Sequence, residues 1–145
     1  TLQDRDSLRQ ALADGTISAI CSCHEPHEPD AKLAPFPATE PGISAVESLL
    51  PLTLRLVDEK VISLARAIEL LTSGPAAIAG LPYSKLSPGY EADICILDPE
   101  ANWEFTASSL VSSGHNTPFD GWFFKGKVSH TLFAGRLTYS PRETA

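Results

Sequence analysis

The feature that most restricts the fold of this 145-residue chain is a proline-rich segment between residues 22 and 43. Five prolines and a glycine fall inside it: Pro26, Pro29, Pro35, Pro37, Pro41 and Gly42. Proline lacks a backbone N–H and fixes φ, which excludes it from helix interiors and central strands. The segment is therefore predicted to be a long loop, and ordered loops of this length usually carry function. The alternative is a flexible surface excursion.

Helical patterns lie on both sides of this loop. Before it, apolar residues at helical spacing predict a helix over 4–14, and the almost wholly apolar run 17–21 is typical of a strand covered on both faces. After it, helical spacing also predicts a helix over 63–72 and a short helical turn over 75–79. The order of helix, strand and helix is typical of an α/β protein.

A further helix is predicted directly after the loop, over 44–57. Its first residue, Ser44, is followed three positions later by Glu47, which is the spacing of a capping box. Pro51 lies inside the pattern and predicts a kink.

The last third of the chain has the residue patterns of strands and turns. A turn is predicted over 85–89, a strand over 92–99 that ends at its proline, and a hairpin formed by 128–133 and 136–139. Asp93 and Asp98 lie at opposite ends of the first strand and are interpreted as turn and cap residues.

The same part of the chain contains an aromatic cluster formed by Trp103, Trp122, Phe123 and Phe124. They are interpreted as core packing, with a partner-binding patch as the alternative. His115 and His130 are assigned no role.

The composition excludes several classes of function. A formal net charge of -7 and a pI near 4.9 argue against nucleic-acid binding, which needs a basic face. No apolar run is long enough for a membrane span, and no signal-peptide pattern begins the chain, so a cytoplasmic location is expected. The three cysteines, an odd number, do not predict a disulfide framework.

Three motifs resemble the dihydroorotases, cyclic amidohydrolases of pyrimidine synthesis. They are His24-Glu25-Pro26-His27, the loop end Pro41-Gly42, and the tail Asn116-Thr117-Pro118-Phe119. The resemblance implies an α/β fold: the C-terminal portion of a (β/α)8 amidohydrolase barrel plus strands of the small composite β-domain. Residues 1–80 would be the last barrel units with the active-site-type loop 22–43, and 81–145 the β-domain segment and tail. Because a whole barrel needs about 200 or more residues, we expect a longer parent chain.

The resemblance also implies site residues. In the family the loop usually reads Asp-His-Ala-Pro-His, and its Asp is both a metal ligand and the general base. Cys23 stands at that catalytic position and is expected to be non-functional. The alternatives are that Cys23 is a zinc ligand together with His27, or a reactive thiol. His27, Pro41 and Gly42 are the expected substrate-binding residues, and His24 is expected to orient the loop.

Zinc is the cofactor of this family, but two potential ligands from one loop do not complete a tetrahedral site. No metal ligand is therefore predicted in this chain. Within the family, the replaced acid points to the non-catalytic dihydroorotase-like subunits that accompany aspartate transcarbamoylase. The expected partners are that transferase and the N-terminal part of the parent chain. The alternatives are a zinc-dependent dihydroorotase and an autonomous binding module.

Overall fold

The structure is a computed structural model and describes residues 1–82 and 86–141. Helices occupy the first part of the chain and one antiparallel sheet the second. The helices are α1 (Leu2–Ala13), α2 (Leu49–Asp58), α3 (Leu64–Leu71) and α4 (Ser73–Ile78), and the strands are β1 (Ile94–Phe105), β2 (Trp122–Phe133) and β3 (Arg136–Tyr139). Short 3-10 turns lie at Pro29–Lys32, Phe36–Ala38 and Ala107–Ser109. Among the described residues, none of the helices has the length and apolar character that crossing a bilayer would demand.

The helical part is organised around a small apolar core between α1 and α3. Leu12, Ile62, Ala67 and Leu70 are buried together there. Arg66 of α3 bonds to the end of α1 and to the residues that follow it. Its guanidinium donates to the carbonyls of Leu12 (3.3 Å) and Ile17 (2.6 Å). This anchoring positions the start of the proline-rich loop.

The predicted strand over 17–21 is wrong, because these residues have no strand conformation in the structure. Their backbone groups bond to helices instead: Ile17 N–H donates to Ala11 (2.9 Å) and Ile20 N–H to Leu70 (3.0 Å). A parallel strand needs a neighbouring strand in register. Among the described residues, the nearest parallel pairing is the single bridge between His24 and Ile43.

Helix α2 begins five residues later than predicted, at Leu49 with Ser48 as its N-cap residue, so the predicted capping box is also wrong. Ser44 is buried and its backbone N–H donates to the carbonyl of Asn116 (3.1 Å). The Glu47 carboxylate accepts from the backbone N–H groups of Val111 and Ser112, each at 3.0 Å. Ser44, through its backbone N–H, and Glu47, through its carboxylate, join the loop end to the tail rather than capping a helix.

The late start of α2 also removes the predicted kink. Pro51 is the third residue of the helix and is buried. Backbone N–H groups in the first turn have no partner within the helix, so a proline there breaks no hydrogen bond.

The three strands form a sheet in the order β1-β2-β3. The predicted end of the first strand at Pro99 is wrong, since β1 continues to Phe105. The register between β1 and β2 shifts between Asp98 and Asn102, so Pro99 lies in a bulge where the ladder is interrupted. The predicted turn over 85–89 begins at a residue outside the described ones, and 86–89 are turn and bend.

The hairpin between β2 and β3 is confirmed. Its two turn residues, Ala134 and Gly135, have φ of 48° and 76°, and positive φ at both positions is the requirement of a two-residue type I′ hairpin turn. Asp93 accepts from the N–H of Ala134 in the hairpin turn (2.7 Å), in agreement with a turn role. Asp98 accepts from the N–H of Glu100 (2.9 Å) but lies inside β1, so its predicted place at the end of the strand is wrong.

An aromatic cluster forms the core of the sheet part. Phe105 and Phe124 are buried with their ring centroids 5.2 Å apart, and Trp103 packs against both. The core-packing interpretation is confirmed for Trp103 and Phe124. Phe123 is 80% exposed, because successive residues of a strand point to opposite faces.

Candidate functional site

Cys23, the second residue of the proline-rich loop, has a φ of 45°. This left-handed conformation costs a residue other than glycine about 1–2 kcal/mol. The Cys23 thiol is exposed and lies 3.5 Å from the sulfur of Cys21. The hydrogen bond with Cys21 and the charge of a nearby Cys21 thiolate raise the pKa of the Cys23 thiol above its ordinary value.

His24 holds the two ends of the loop together. Its Nδ1 accepts hydrogen bonds from the backbone N–H groups of Ala45 (3.0 Å) and Val46 (3.2 Å), just beyond the loop. An Nδ1 that accepts carries no proton, so the neutral ring bears its hydrogen on Nε2. These contacts agree with the loop-orienting role expected for His24.

Replacing His24 tests that role directly. His24→Leu removes the acceptor from one partly buried N–H group and one exposed N–H group, and we expect it to lower the free energy of unfolding by about 1–2 kcal/mol. His24→Asn is the matched control, since an amide oxygen can take the place of Nδ1, and we expect it to recover most of the loss. Equal stability of the two variants in urea unfolding would contradict the role.

The structure brings the three expected substrate-binding residues together at the far end of the loop. The half-buried His27 ring donates from Nε2 to the carbonyl oxygen of Pro41 (2.9 Å), and Gly42 follows directly. Because a carbonyl only accepts, the His27 ring must carry a hydrogen on Nε2.

Asn116, from the tail, connects both sides of this loop. Its Oδ1 accepts from the N–H of His27 (2.8 Å), and its Nδ2 donates to the carbonyls of Glu25 (3.1 Å) and Gly42 (3.4 Å). Its own carbonyl accepts from the N–H of Ser44. The resemblance included Asn116 in a motif, but no contact role was predicted for it.

Gly42 is held in a narrow space on the other side of the same network. Its φ is +96°, and a Cβ placed on it would lie 2.4 Å from the Cβ of Glu25. Lys32 donates from Nζ to the carbonyls of Glu40 and Gly42, the latter at 2.9 Å. The loop end is therefore a set of oriented backbone carbonyls beside an imidazole, and the nearby donors, His27 Nε2 and Lys32 Nζ, are already bonded to carbonyls of the loop.

The donor atoms present in the loop do not fit a zinc ion by themselves. The described residues contain no group of three or more His, Cys, Asp and Glu side chains that could hold a metal. His24 Nδ1 and His27 Nε2 are both bonded to backbone groups, and a structural zinc site takes about four ligands.

Comparison with known proteins shows which family this chain is similar to. The amidohydrolase family matches residues 3–138. The chain is 46% identical over 139 residues to the dihydroorotase of Syntrophotalea carbinolica, covering 96% of this chain and 33% of that protein. It is also 46% identical over 141 residues to a dihydroorotase-like protein of Pseudomonas putida, covering 97% and 33%.

Solved structures agree with the sequence comparison. A D-hydantoinase superimposes with a TM-score of 0.83 at 26% identity, covering 97% of this chain and 32% of that chain. The L-hydantoinase (dihydropyrimidinase) of Arthrobacter aurescens gives a TM-score of 0.78 at 25% identity, covering 92% and 31%. The chain thus spans about a third of the length of the relatives it matches. By fold and by sequence, this chain belongs to the amidohydrolase family.

Proposed function

We propose that this chain is the C-terminal part of a dihydroorotase-like subunit of pyrimidine synthesis, one that contributes no catalysis and supports the assembly of aspartate transcarbamoylase. The observation that carries the proposal is Cys23, at the position where the resemblance places the catalytic acid. The similarity to a dihydroorotase-like protein of Pseudomonas putida supports the same assignment.

The chemistry of Cys23 supports the absence of catalysis. A general base works best with a pKa near the operating pH. The free thiol already titrates at about 8.5, and the hydrogen bond to Cys21 raises the pKa of Cys23 further. A thiol in that state is almost fully protonated at neutral pH, so it accepts a proton poorly.

Dihydroorotate hydrolysis by the full natural chain is the test of this proposal. We expect no turnover from the chain supplied with zinc and without the transferase, and we expect Cys23→Asp to raise the rate if the rest of the site is complete. Cys95→Asp, at an exposed cysteine of β1, is the matched control and should change nothing. Turnover by the unmodified chain would overturn the non-catalytic assignment.

The assembly role has a separate measurement. In sedimentation velocity, we expect aspartate transcarbamoylase of the same organism to sediment as a larger particle when the full natural chain is present. An unchanged sedimentation coefficient at micromolar concentrations of both proteins would contradict the partnership.

The second candidate function is a zinc-dependent dihydroorotase that interconverts dihydroorotate and N-carbamoyl-aspartate. The proximity of His27, Pro41 and Gly42 favours it, because these are the residues that the resemblance implies bind the substrate. In that function His27, Pro41 and Gly42 bind the substrate, and the metal ligands come from residues outside this sequence. The same turnover assay separates the two candidates.

A further inference from the structure

Two thiols lie side by side where the loop leaves the helical core. The sulfurs of Cys21 and Cys23 are 3.5 Å apart, and both residues are exposed. A disulfide needs a sulfur–sulfur distance of about 2.05 Å, so the two atoms are about 1.5 Å too far apart for a bond. Rotation of exposed side chains is enough to cover such a distance.

Only one residue separates Cys21 from Cys23 in the sequence, and this short spacing limits the stability of a disulfide between them. Two residues apart, the Cα atoms can be separated by at most about 7.2 Å, and disulfides accept about 4.4–6.8 Å. The bond would therefore close a short ring that includes Cys23 in its left-handed conformation. Strained and exposed disulfides are the ones that are readily reduced again.

We propose that Cys21 and Cys23 form a reversible dithiol–disulfide site that reacts with low-molecular-weight disulfides. Neither cysteine needs a partner chain for this reaction, and the proposal is independent of any role in catalysis or assembly. The third cysteine, Cys95, lies on β1 and provides an exposed thiol for comparison.

The reaction takes two exchange steps. One of the two cysteines loses its proton to solvent, its thiolate attacks one sulfur of the small disulfide, the S–S bond breaks, and one small thiolate leaves and takes up a proton. The other cysteine, whose sulfur lies 3.5 Å away, then loses its proton to solvent and attacks the protein sulfur of the mixed disulfide, which releases the second small thiolate to take up a proton. Two protein thiols are oxidised and one small disulfide is reduced to two thiols.

The test is to equilibrate the full natural chain with glutathione disulfide, block the remaining thiols, and analyse tryptic peptides by mass spectrometry. Cleavage after Arg9 and Lys32 places Cys21 and Cys23 in one peptide, and Cys95 falls in another. We expect the first peptide to be two hydrogens lighter than its reduced form and free of glutathione, with full reversal by dithiothreitol. We expect Cys95 to carry glutathione as a mixed disulfide.

Two variants separate the two steps. Cys23→Ser and Cys21→Ser each remove one of the paired thiols, so glutathione should remain as a mixed disulfide on the cysteine that is left. The proposal is overturned if the unmodified chain carries glutathione on both cysteines, or if neither loses its thiol while Cys95 reacts.

Discussion

Replacing Asn116 with alanine is expected to lower the free energy of unfolding by about 3 kcal/mol, the largest loss from any single polar side chain at this site. The substitution leaves the N–H of His27 and the carbonyl of Glu25 without their partner, whereas the carbonyl of Gly42 keeps its bond from Lys32. Leaving a buried backbone group unsatisfied costs about 1–3 kcal/mol, and partial access of water to these groups lowers the sum. The loss is measured by urea unfolding of the full natural chain.

Asn102 provides the matched control. It is exposed in the bulge of β1, and its Nδ2 makes a short-range bond to the carbonyl of Glu100 (3.2 Å). Asn102→Ala is expected to cost less than about 0.5 kcal/mol, as surface substitutions usually do. Equal losses for the two variants would contradict the bridging role of Asn116.

Asn116→Asp separates the acceptor function of the Asn116 side chain from its donor function. The carboxylate keeps an acceptor for the N–H of His27 but faces the carbonyls of Glu25 and Gly42 without a donor. We expect it to be at least as destabilising as alanine at neutral pH. Hydrogen exchange should show the His27 amide more protected in this variant than in Asn116→Ala.

Replacing Gly42 with alanine is expected to cost about 3 kcal/mol. Two effects contribute: a φ of +96°, which costs a residue with a Cβ about 1–2 kcal/mol, and overpacking, which costs about 1–3 kcal/mol. The new methyl would lie 2.4 Å from the Cβ of Glu25, an atom next to the backbone that cannot move aside cheaply.

Gly15→Ala isolates the conformational part of this cost. Gly15 has a similar φ of +90°, but no atom lies within 4 Å of the position of its Cβ. We expect this control to lose about 1 kcal/mol in urea unfolding. If the two alanine variants were equally stable, the contact between Gly42 and Glu25 would have no energetic weight.

The two substitutions also bear on function, because Asn116 and Gly42 belong to the hydrogen-bond network that holds the backbone of Glu25 and His27 at the loop end. Under the proposed assembly role, both variants should keep the interaction with the transferase if that interaction uses a different surface. Under the alternative enzymatic role, both should lower the rate of dihydroorotate turnover, since a misplaced binding group weakens catalysis.

Features of the fold whose physical cause is local could be predicted from the sequence. Prolines exclude regular structure wherever they fall in the chain, so the loop over 22–43 was predictable apart from its short 3-10 turns. The hairpin at Ala134 and Gly135 depends on the conformations of two residues, and α1 and α3 depend on patterns within a few turns.

Features that depend on a hydrogen-bond partner far along the chain could not be predicted from the sequence. Ser44 and Glu47 have the spacing of a capping box, yet both form hydrogen bonds with residues of the tail. Helix α2 begins at Leu49 instead. The apolar run 17–21 reads as a strand, but the carbonyls it meets belong to helices. Spacing along the chain contains no information about such partners.

The sequence by itself determined the proline-rich loop, the residues at its two ends, and the family resemblance that the comparisons confirm. Only the tertiary structure decided how the loop is closed: Asn116 reaches Glu25 and His27 across 91 and 89 residues of chain. It also placed the thiols of Cys21 and Cys23 side by side. The physical reason is that a hydrogen bond depends on distances between atoms in space, and folding brings together residues whose separation along the chain says nothing about that distance.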